Sequence, residues 1–143
     1  MTLVDLPIFE EIRGNPYYHA LGIAESGLNP DAKNPHSSAK GLFQFIDQTA
    51  KALGLHDPFD PIQSFAAVQK LTEENKKVIG TGDPAALYAA HYLGAGLAKK
   101  YLSGEQISEK DKPIVDGFIS KDGPLDRFKN IYAAQKDGNN ASA

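Results

Sequence analysis

The chain has 143 residues, of which 41% are hydrophobic and 23% are charged, and its formal net charge is −3. This is the composition of an ordinary globular protein with one domain, and it excludes a chain that is disordered throughout. The acidic balance and the lack of a Lys/Arg cluster argue against nucleic-acid binding, and the absence of cysteine excludes disulfides and thiolate metal sites.

From the first residues of the sequence we expect no secretory signal peptide. Residues 1–7 lack the basic segment and the apolar core of a secretory signal peptide. No stretch approaches the roughly 20 apolar residues that span a bilayer, so we expect no membrane insertion. Residues 1–14 are expected to form a mixed lead-in that closes at Gly14.

The first long helix is predicted over residues 17–26. Pro16 suits the first turn of a helix, and Gly27 suits a left-handed position after its end. A turn-rich loop with two Asn-Pro pairs follows over residues 29–40, and a loop of this length often carries function. Apolar residues at helical spacing then predict a helix over residues 41–53.

The rest of the chain also reads as helical. Asp83 followed by Pro84 is typical of a helix start. Because no alternating pattern of useful length is present, we predict a mainly α fold with at most a small β-hairpin. Further helices are predicted over residues 62–79, 84–102, 108–119 and 124–135, and a flexible tail over residues 136–143.

Glu25 is the candidate for chemistry. It lies one turn after Leu21, on the apolar side of the first long helix and near the negative end of the helix dipole. Both surroundings disfavour a charged carboxylate, and a carboxyl group that retains its proton is what a general acid requires. On position alone, an exposed surface glutamate is the commoner interpretation.

The residues around Glu25 form a series of motifs. Residues 25–32 read ESGLNPDA, residues 37–45 read SSAKGLFQF, and Thr49-Ala50 follow. In order and spacing, this series resembles the catalytic domain of the soluble lytic transglycosylases, in the goose-type lysozyme superfamily. The family pattern is Glu-Ser, Asn-Pro-x-Ala, a Ser/Gly loop, Gly-Leu-Met-Gln and Thr-Ala.

The resemblance extends over residues 16–102 and implies a lysozyme-like helical fold. We therefore expect one domain over residues 1–143, with a helical C-terminal extension over residues 103–135. One motif departs from the family, because residues 90–94 read AHYLG where the family has Ala-Tyr-Asn-x-Gly. This variant resembles phage-borne members.

The resemblance implies a reaction on peptidoglycan. Family members cleave the β-1,4 bond between N-acetylmuramic acid and N-acetylglucosamine and leave 1,6-anhydromuramic acid ends. Glu25 would act as acid and then as base, and neither a metal nor a cofactor is expected. Two alternatives stay open: a hydrolytic muramidase (lysozyme) on the same fold, and a non-catalytic peptidoglycan-binding module.

The resemblance also implies roles in substrate binding. Ser26 is expected to fix the glutamate or the substrate acetamide, Gly41 to let backbone approach a sugar, and Gln44 to present its amide to the groove. Phe43, in place of the family's Met, is expected to offer a packing surface to a sugar, with core packing as the alternative.

Two further site residues come from the departing motif. His91 takes the position of the family's Tyr and is expected to hydrogen-bond near the catalytic glutamate, with a satisfied, partly buried histidine as the alternative. Tyr92 takes the position of the family's Asn, and lining the groove and packing are equally compatible with it.

The expected partner is the glycan strand of peptidoglycan, which places the activity in the periplasm or the cell wall. Because no signal peptide is visible, we expect delivery as a virion component or by a dedicated secretion route. Proteins of a phage tail or of a secretion apparatus are then further candidate partners.

Overall fold

The computed structural model describes residues 2–141, and their side chains up to residue 138. No strand occurs among these residues; the backbone of Lys40 forms isolated antiparallel bridges to Lys33 and to Phe45. The prediction of a mainly α fold is therefore confirmed. After a 3-10 helix at Leu3–Asp5, the helices are α1 (Pro7–Arg13), α2 (Pro16–Ser26), α3 (Asp47–Ala52), α4 (Pro61–Ile79), α5 (Pro84–Leu93), α6 (Ala95–Ser103), α7 (Lys112–Ile119) and α8 (Pro124–Ala141).

The described residues form two compact units. The first contains the residues up to Lys70 and those from Ile131 onwards, and the second contains Leu71–Asn130. The boundaries fall inside helices α4 and α8. The expected single domain over residues 1–143 stays a prediction.

Helix α2 begins and ends where its sequence predicts. The Asn15 side chain accepts hydrogen bonds from the backbone N–H groups of Tyr17 (2.9 Å) and Tyr18 (3.3 Å), and Pro16 occupies the first turn. The helix ends at Gly27, which has a left-handed backbone with φ 63°. Its inner face belongs to the core of the first unit, where the Tyr18 ring meets Phe65 edge-on at 5.3 Å.

The helix predicted over residues 41–53 was wrong in its first half. The backbones of Lys40 and Phe45 exchange two hydrogen bonds of 3.1 Å, which close a tight turn over residues 41–44. Gly41 (φ 84°) and Gln44 (φ 56°) have left-handed backbones that a right-handed helix does not contain. Helix α3 therefore begins only at Asp47, with the turn in front of it. The lead-in also differs from expectation, because it contains α1.

The helix predicted over residues 84–102 is interrupted at Gly94. Its start is as predicted, since the Asp83 carboxylate accepts a hydrogen bond from the Ala86 N–H at 3.1 Å. Gly94 has φ 85° and ψ 148°, a combination that is essentially restricted to glycine, so α5 ends there and α6 begins anew. In the core of the second unit, Tyr88 stacks on Phe128 with ring centres 4.3 Å apart.

The last helix is longer than predicted. Helix α8 continues to Ala141, whereas the sequence predicted an end near residue 135. The stretch after residue 135 contains no proline, and extending an existing helix is easier than starting one. Residues 142 and 143 of the predicted tail lie outside the described residues. No helix among the described residues is long and apolar enough to cross a membrane.

Candidate active site

Glu25 lies in the last turn of α2, and its side chain is half-buried. Its carboxylate makes no hydrogen bond or ion pair with any residue in the described part of the chain. The carboxylate is thus neither enclosed by the fold nor engaged by another group among the described residues. The group is therefore free to exchange a proton with a bound molecule.

The chain reverses direction directly after Glu25. Gly27 and Leu28 both have left-handed backbones, with φ 63° and 62°, and the Leu28 N–H donates to the Gly22 carbonyl oxygen at 3.1 Å. Left-handed backbone is unfavourable for leucine, and such strain is common near functional sites. A Cβ added to Gly22 would lie 2.9 Å from Leu28 Cδ2, so the reversal packs tightly against α2.

Ser26 joins this reversal to the turn at residues 41–44. Its hydroxyl lies 2.7 Å from the Leu42 carbonyl oxygen and 3.1 Å from that of Gly22, and it accepts a hydrogen bond from the Asn29 N–H at 3.2 Å. The short distance to Leu42 marks the principal acceptor of the single hydroxyl proton. Ser26 thus has backbone partners on both sides, and the end of α2 is fixed to the neighbouring turn.

Gly41 is required by the protein's own packing. A Cβ at this position would overlap the carbonyl oxygen of Pro58, and φ is 84°. The sequence predicted that a sugar approaches the backbone of Gly41. On the face of Gly41 that would carry a Cβ, it is the Pro58 backbone that lies this close. The turn is thereby held against the segment that precedes α4.

The Gln44 side chain stabilises the turn at residues 41–44 with its amide nitrogen and leaves its amide oxygen available to a ligand. Its Nε2 donates to the Gly41 carbonyl oxygen at 2.9 Å and lies 3.4 Å from that of Ala32. Because both neighbours are acceptors, the nitrogen of the amide must face them. No donor among the described residues reaches Oε1, so this half-buried oxygen can accept a hydrogen bond from a bound molecule.

Phe43 does not face a groove. Its side chain is 0% exposed, and its ring stacks at 6.3 Å on Phe65. The expectation that Phe43 offers a packing surface to a sugar is therefore corrected, and the alternative of core packing holds. The turn inserts this ring into the core of the first unit, and this anchors the backbone of Leu42 on one side and Gln44 on the other.

His91 and Tyr92 belong to the second unit, in the last turn of α5. His91 is half-buried and has interactions within the protein. Tyr92 is 46% exposed, and its ring lies 5.0 Å from that of Phe118. Tyr92 thus combines packing on one face with exposure on the other. The predicted hydrogen bond of His91 near Glu25 stays a prediction.

Two other acidic residues of the first unit, Asp47 and Asp57, have structural roles. Asp47 forms an ion pair with the Lys40 ammonium at 2.9 Å, and the Asp57 carboxylate accepts a hydrogen bond from the Phe59 N–H at 3.0 Å. Among the described residues, no group of three or more His, Asp or Glu side chains is arranged to hold a metal ion. The Asp31 carboxylate has no partner among the described residues either, but it is exposed, whereas Glu25 is half-buried.

The sequence reasoning missed the residues that support the site. Gly22, Leu28 and Pro58 hold the reversal and the turn in place through their contacts with one another and with Gly41. Of these three, only Gly22 gave a signal in the sequence, since a glycine inside a helix is destabilising unless close packing requires it.

Comparison with known proteins gives one family. The protein-family model described as "Transglycosylase SLT domain" matches residues 14–114, a range that begins just before α2 and ends within α7. The matched range contains all seven predicted site residues of the two units. No curated protein matches the chain.

Proposed function

The chain belongs to the transglycosylase SLT domain family, and we propose that it cleaves the β-1,4 bond between N-acetylmuramic acid and N-acetylglucosamine. Membership of the family implies peptidoglycan lytic transglycosylase activity and a lysozyme-like fold. The observation that carries the assignment to Glu25 is its half-buried carboxyl group, which has no partner among the described residues.

The proposed reaction uses Glu25 twice. Its carboxyl first gives a proton to the glycosidic oxygen, so that the bond from that oxygen to the anomeric carbon breaks. The C6 hydroxyl of the same muramic acid then bonds to the anomeric carbon and returns its proton to Glu25. The products are a free 4-hydroxyl and a 1,6-anhydro ring, and no water is consumed.

A single acid/base residue fits the surroundings. Two-carboxylate glycosidases need a second carboxylate at a set separation, whereas Asp47 pairs with Lys40 through Oδ1 and Asp57 accepts a hydrogen bond from a backbone N–H. Asp31 is exposed in the turn after α2. These engagements favour the transglycosylase reaction over a hydrolytic muramidase. The left-handed backbone of Leu28, beside a glutamate with no partner among the described residues, supports an enzyme over a binding module.

The neighbouring residues divide into binding and positioning groups. Gln44 presents Oε1, so we propose that it accepts a hydrogen bond from an acetamido N–H or a hydroxyl of the glycan. Ser26 has its proton directed at the Leu42 carbonyl, which supports a positioning role. We assign His91 and Tyr92 to the glycan-binding surface through their place in the family motif.

Product analysis tests the proposed reaction. Purified sacculi are digested, and the soluble fragments are examined by mass spectrometry for anhydro ends, which are one water lighter than reducing ends. Glu25→Gln should reduce release by about 10²- to 10⁴-fold, the usual contribution of a general acid/base. Glu11→Gln, an exposed carboxylate on α1, is the matched control. Reducing ends would establish the muramidase, and undiminished cleavage by Glu25→Gln would exclude its catalytic role.

The route of delivery is a separate proposal. The AHYLG motif at residues 90–94 resembles phage-borne members, and we propose that the protein reaches the cell wall with a virion or through a dedicated secretion route. Detection of the chain in purified virions or in a secretion apparatus tests this proposal.

A further inference from the structure

A depression of about 360 Å³ lies in the first unit, between α3 and the turn before α4. We call it the α3 pocket and define it by Lys40, Asp47, Lys51, Leu55 and His56, with Ala50, Gly54 and Pro58 completing its wall. We propose that the α3 pocket binds the carboxylate of a short acidic peptide, namely the peptide stem of the substrate; the identity of this peptide rests on the proposed function.

The rim of the α3 pocket is cationic in a chain of net negative charge. The Lys51 ammonium and the His56 imidazole make no hydrogen bond or ion pair with any described residue. Lys40 is held by Asp47 at 2.9 Å, and its side chain is 30% exposed. The side-chain nitrogens of Lys51 and His56 are thus available to an anion, and the Lys40 ammonium beside them is held in place by Asp47.

The floor of the pocket is apolar. Ala50 and Leu55 are 5% and 8% exposed, and Pro58 also lines the pocket. A simple inorganic ion has no apolar surface to bury on such a floor, whereas the aliphatic part of a peptide residue can pack on it. Apolar floor and cationic rim together fit a carboxylate that is carried on a short carbon chain.

Asp47 favours a peptide over a phosphate. Its side chain is 69% exposed, and only Oδ1 is used by Lys40. A doubly charged phosphate in the pocket would lie beside this carboxylate and be repelled. A peptide can instead donate an N–H to Oδ2 while its carboxylate meets Lys51 and His56.

The pocket and the Glu25 corner are joined through one turn. Lys40 is followed by Gly41, whose backbone packs on Pro58 in the pocket wall. The next residue, Leu42, accepts the hydrogen bond from Ser26. A glycan strand that offers its bond to Glu25 carries its peptide stems close along the same strand, so one substrate can meet both places.

A titration with free peptide tests the inference without any cleavage. The probe is synthetic L-Ala–γ-D-Glu–L-Lys with free carboxylates, compared with its amidated form, and the readout is the backbone amide signals of Lys51 and Leu55. We expect binding of the free acid only. The double variant Lys51→Gln/His56→Gln should weaken it about tenfold, and Lys121→Gln, an exposed lysine of the second unit, should not.

A second measurement uses glycan strands with and without their stems. The ratio of the cleavage rate on stem-bearing strands to that on stem-free strands should fall in the double variant and stay constant in Lys121→Gln. Equal binding of both peptide forms, displacement by an equal concentration of acetate, or an unchanged double variant would overturn the pocket assignment. Peptide binding by a chain that cleaves no glycan would overturn the proposed function and retain the pocket.

Discussion

The Ser26 hydroxyl donates to the Leu42 carbonyl oxygen at 2.7 Å, across 16 residues of sequence. Ser26 follows the proposed catalytic Glu25, and Leu42 lies in the turn that also carries Gln44. This hydrogen bond therefore sets the position of the proton-transfer group against that of a proposed substrate acceptor.

Removal of this hydroxyl should impair catalysis more than folding. Ser26→Ala leaves the Leu42 carbonyl without its partner, which should lower the free energy of unfolding by about 1 kcal/mol. A misplacement of the acid near the reacting bond costs more, and we expect kcat to fall about tenfold or more with KM little changed. Urea unfolding and initial rates on sacculi measure the two effects.

Two controls separate positioning from general damage. Ser103→Ala removes an exposed hydroxyl at the end of α6 that donates to the Glu105 carboxylate at 2.8 Å, a contact within the same exposed helix end, and should change neither quantity appreciably. Ser26→Thr retains a hydroxyl and should recover part of the rate. Loss of kcat only in proportion to the unfolded fraction would refute a positioning role.

Gly41 and Gly54 provide a matched pair for the role of the turn. Both have left-handed backbones, with φ 84° and 70°, but a Cβ meets the Pro58 carbonyl oxygen at Gly41 and open space at Gly54. Gly54→Ala should cost about 1 kcal/mol for the backbone conformation alone. Gly41→Ala adds a steric overlap with rigid backbone and should cost at least about 2 kcal/mol more. Denaturant midpoints check both values, and equal costs would contradict the Pro58 contact.

Local rules predicted the helix ends that depend on one or two residues. Pro16 and Gly27 bound α2, and Asp83 with Pro84 starts α5, because caps and fixed φ angles act within one turn. The turn at residues 41–44 was misread as helix, since Leu42, Phe45 and Ile46 have helical spacing whether or not a helix forms.

Contacts between residues distant in sequence determine the burial of Phe43 and the backbone conformation of Gln44, which the sequence did not predict. Phe43, in the turn, is buried because it stacks on Phe65, which is 22 positions away on helix α4. Gln44 takes a left-handed backbone that no local rule assigns to glutamine. Glu25, in contrast, could be proposed from its motif, because the residues around it are close in sequence.

His19 should make stability depend on pH. Burial, and secondarily the charge of Arg13, lower the pKa of His19 below its ordinary value of 6.5, and its Nδ1 is buried without a hydrogen bond among the described residues. When the pH falls below 6.5, the His19 imidazole of the unfolded chain binds a proton, whereas the imidazole of the folded chain binds one only at a lower pH. The free energy of unfolding should therefore decrease as the pH falls from about 7 to 5.

The contribution of His19 can be isolated by substitution. His19→Phe keeps an aromatic ring against Phe9, which the histidine meets edge-on at 5.8 Å, and removes the titrating group. The decline in unfolding free energy between about pH 7 and 5 should be shallower in this variant than in the parent. His36→Gln, at an exposed loop position, should leave the decline unchanged. An identical decline in all three proteins would rule out His19 as its source.

Gly94 and Gly96 should respond to alanine with opposite signs. Gly94 separates α5 from α6 with φ 85° and ψ 148°, so Gly94→Ala should destabilise the fold by about 1–3 kcal/mol. Gly96 lies in α6 with open space around it, and Gly96→Ala should stabilise by about 0.5–1 kcal/mol through helix propensity. Thermal melts of both variants decide this. A destabilised Gly96→Ala would mean that α6 needs glycine for another reason, whereas a neutral Gly94→Ala would mean that α5 and α6 can join into the continuous helix that their sequence predicts.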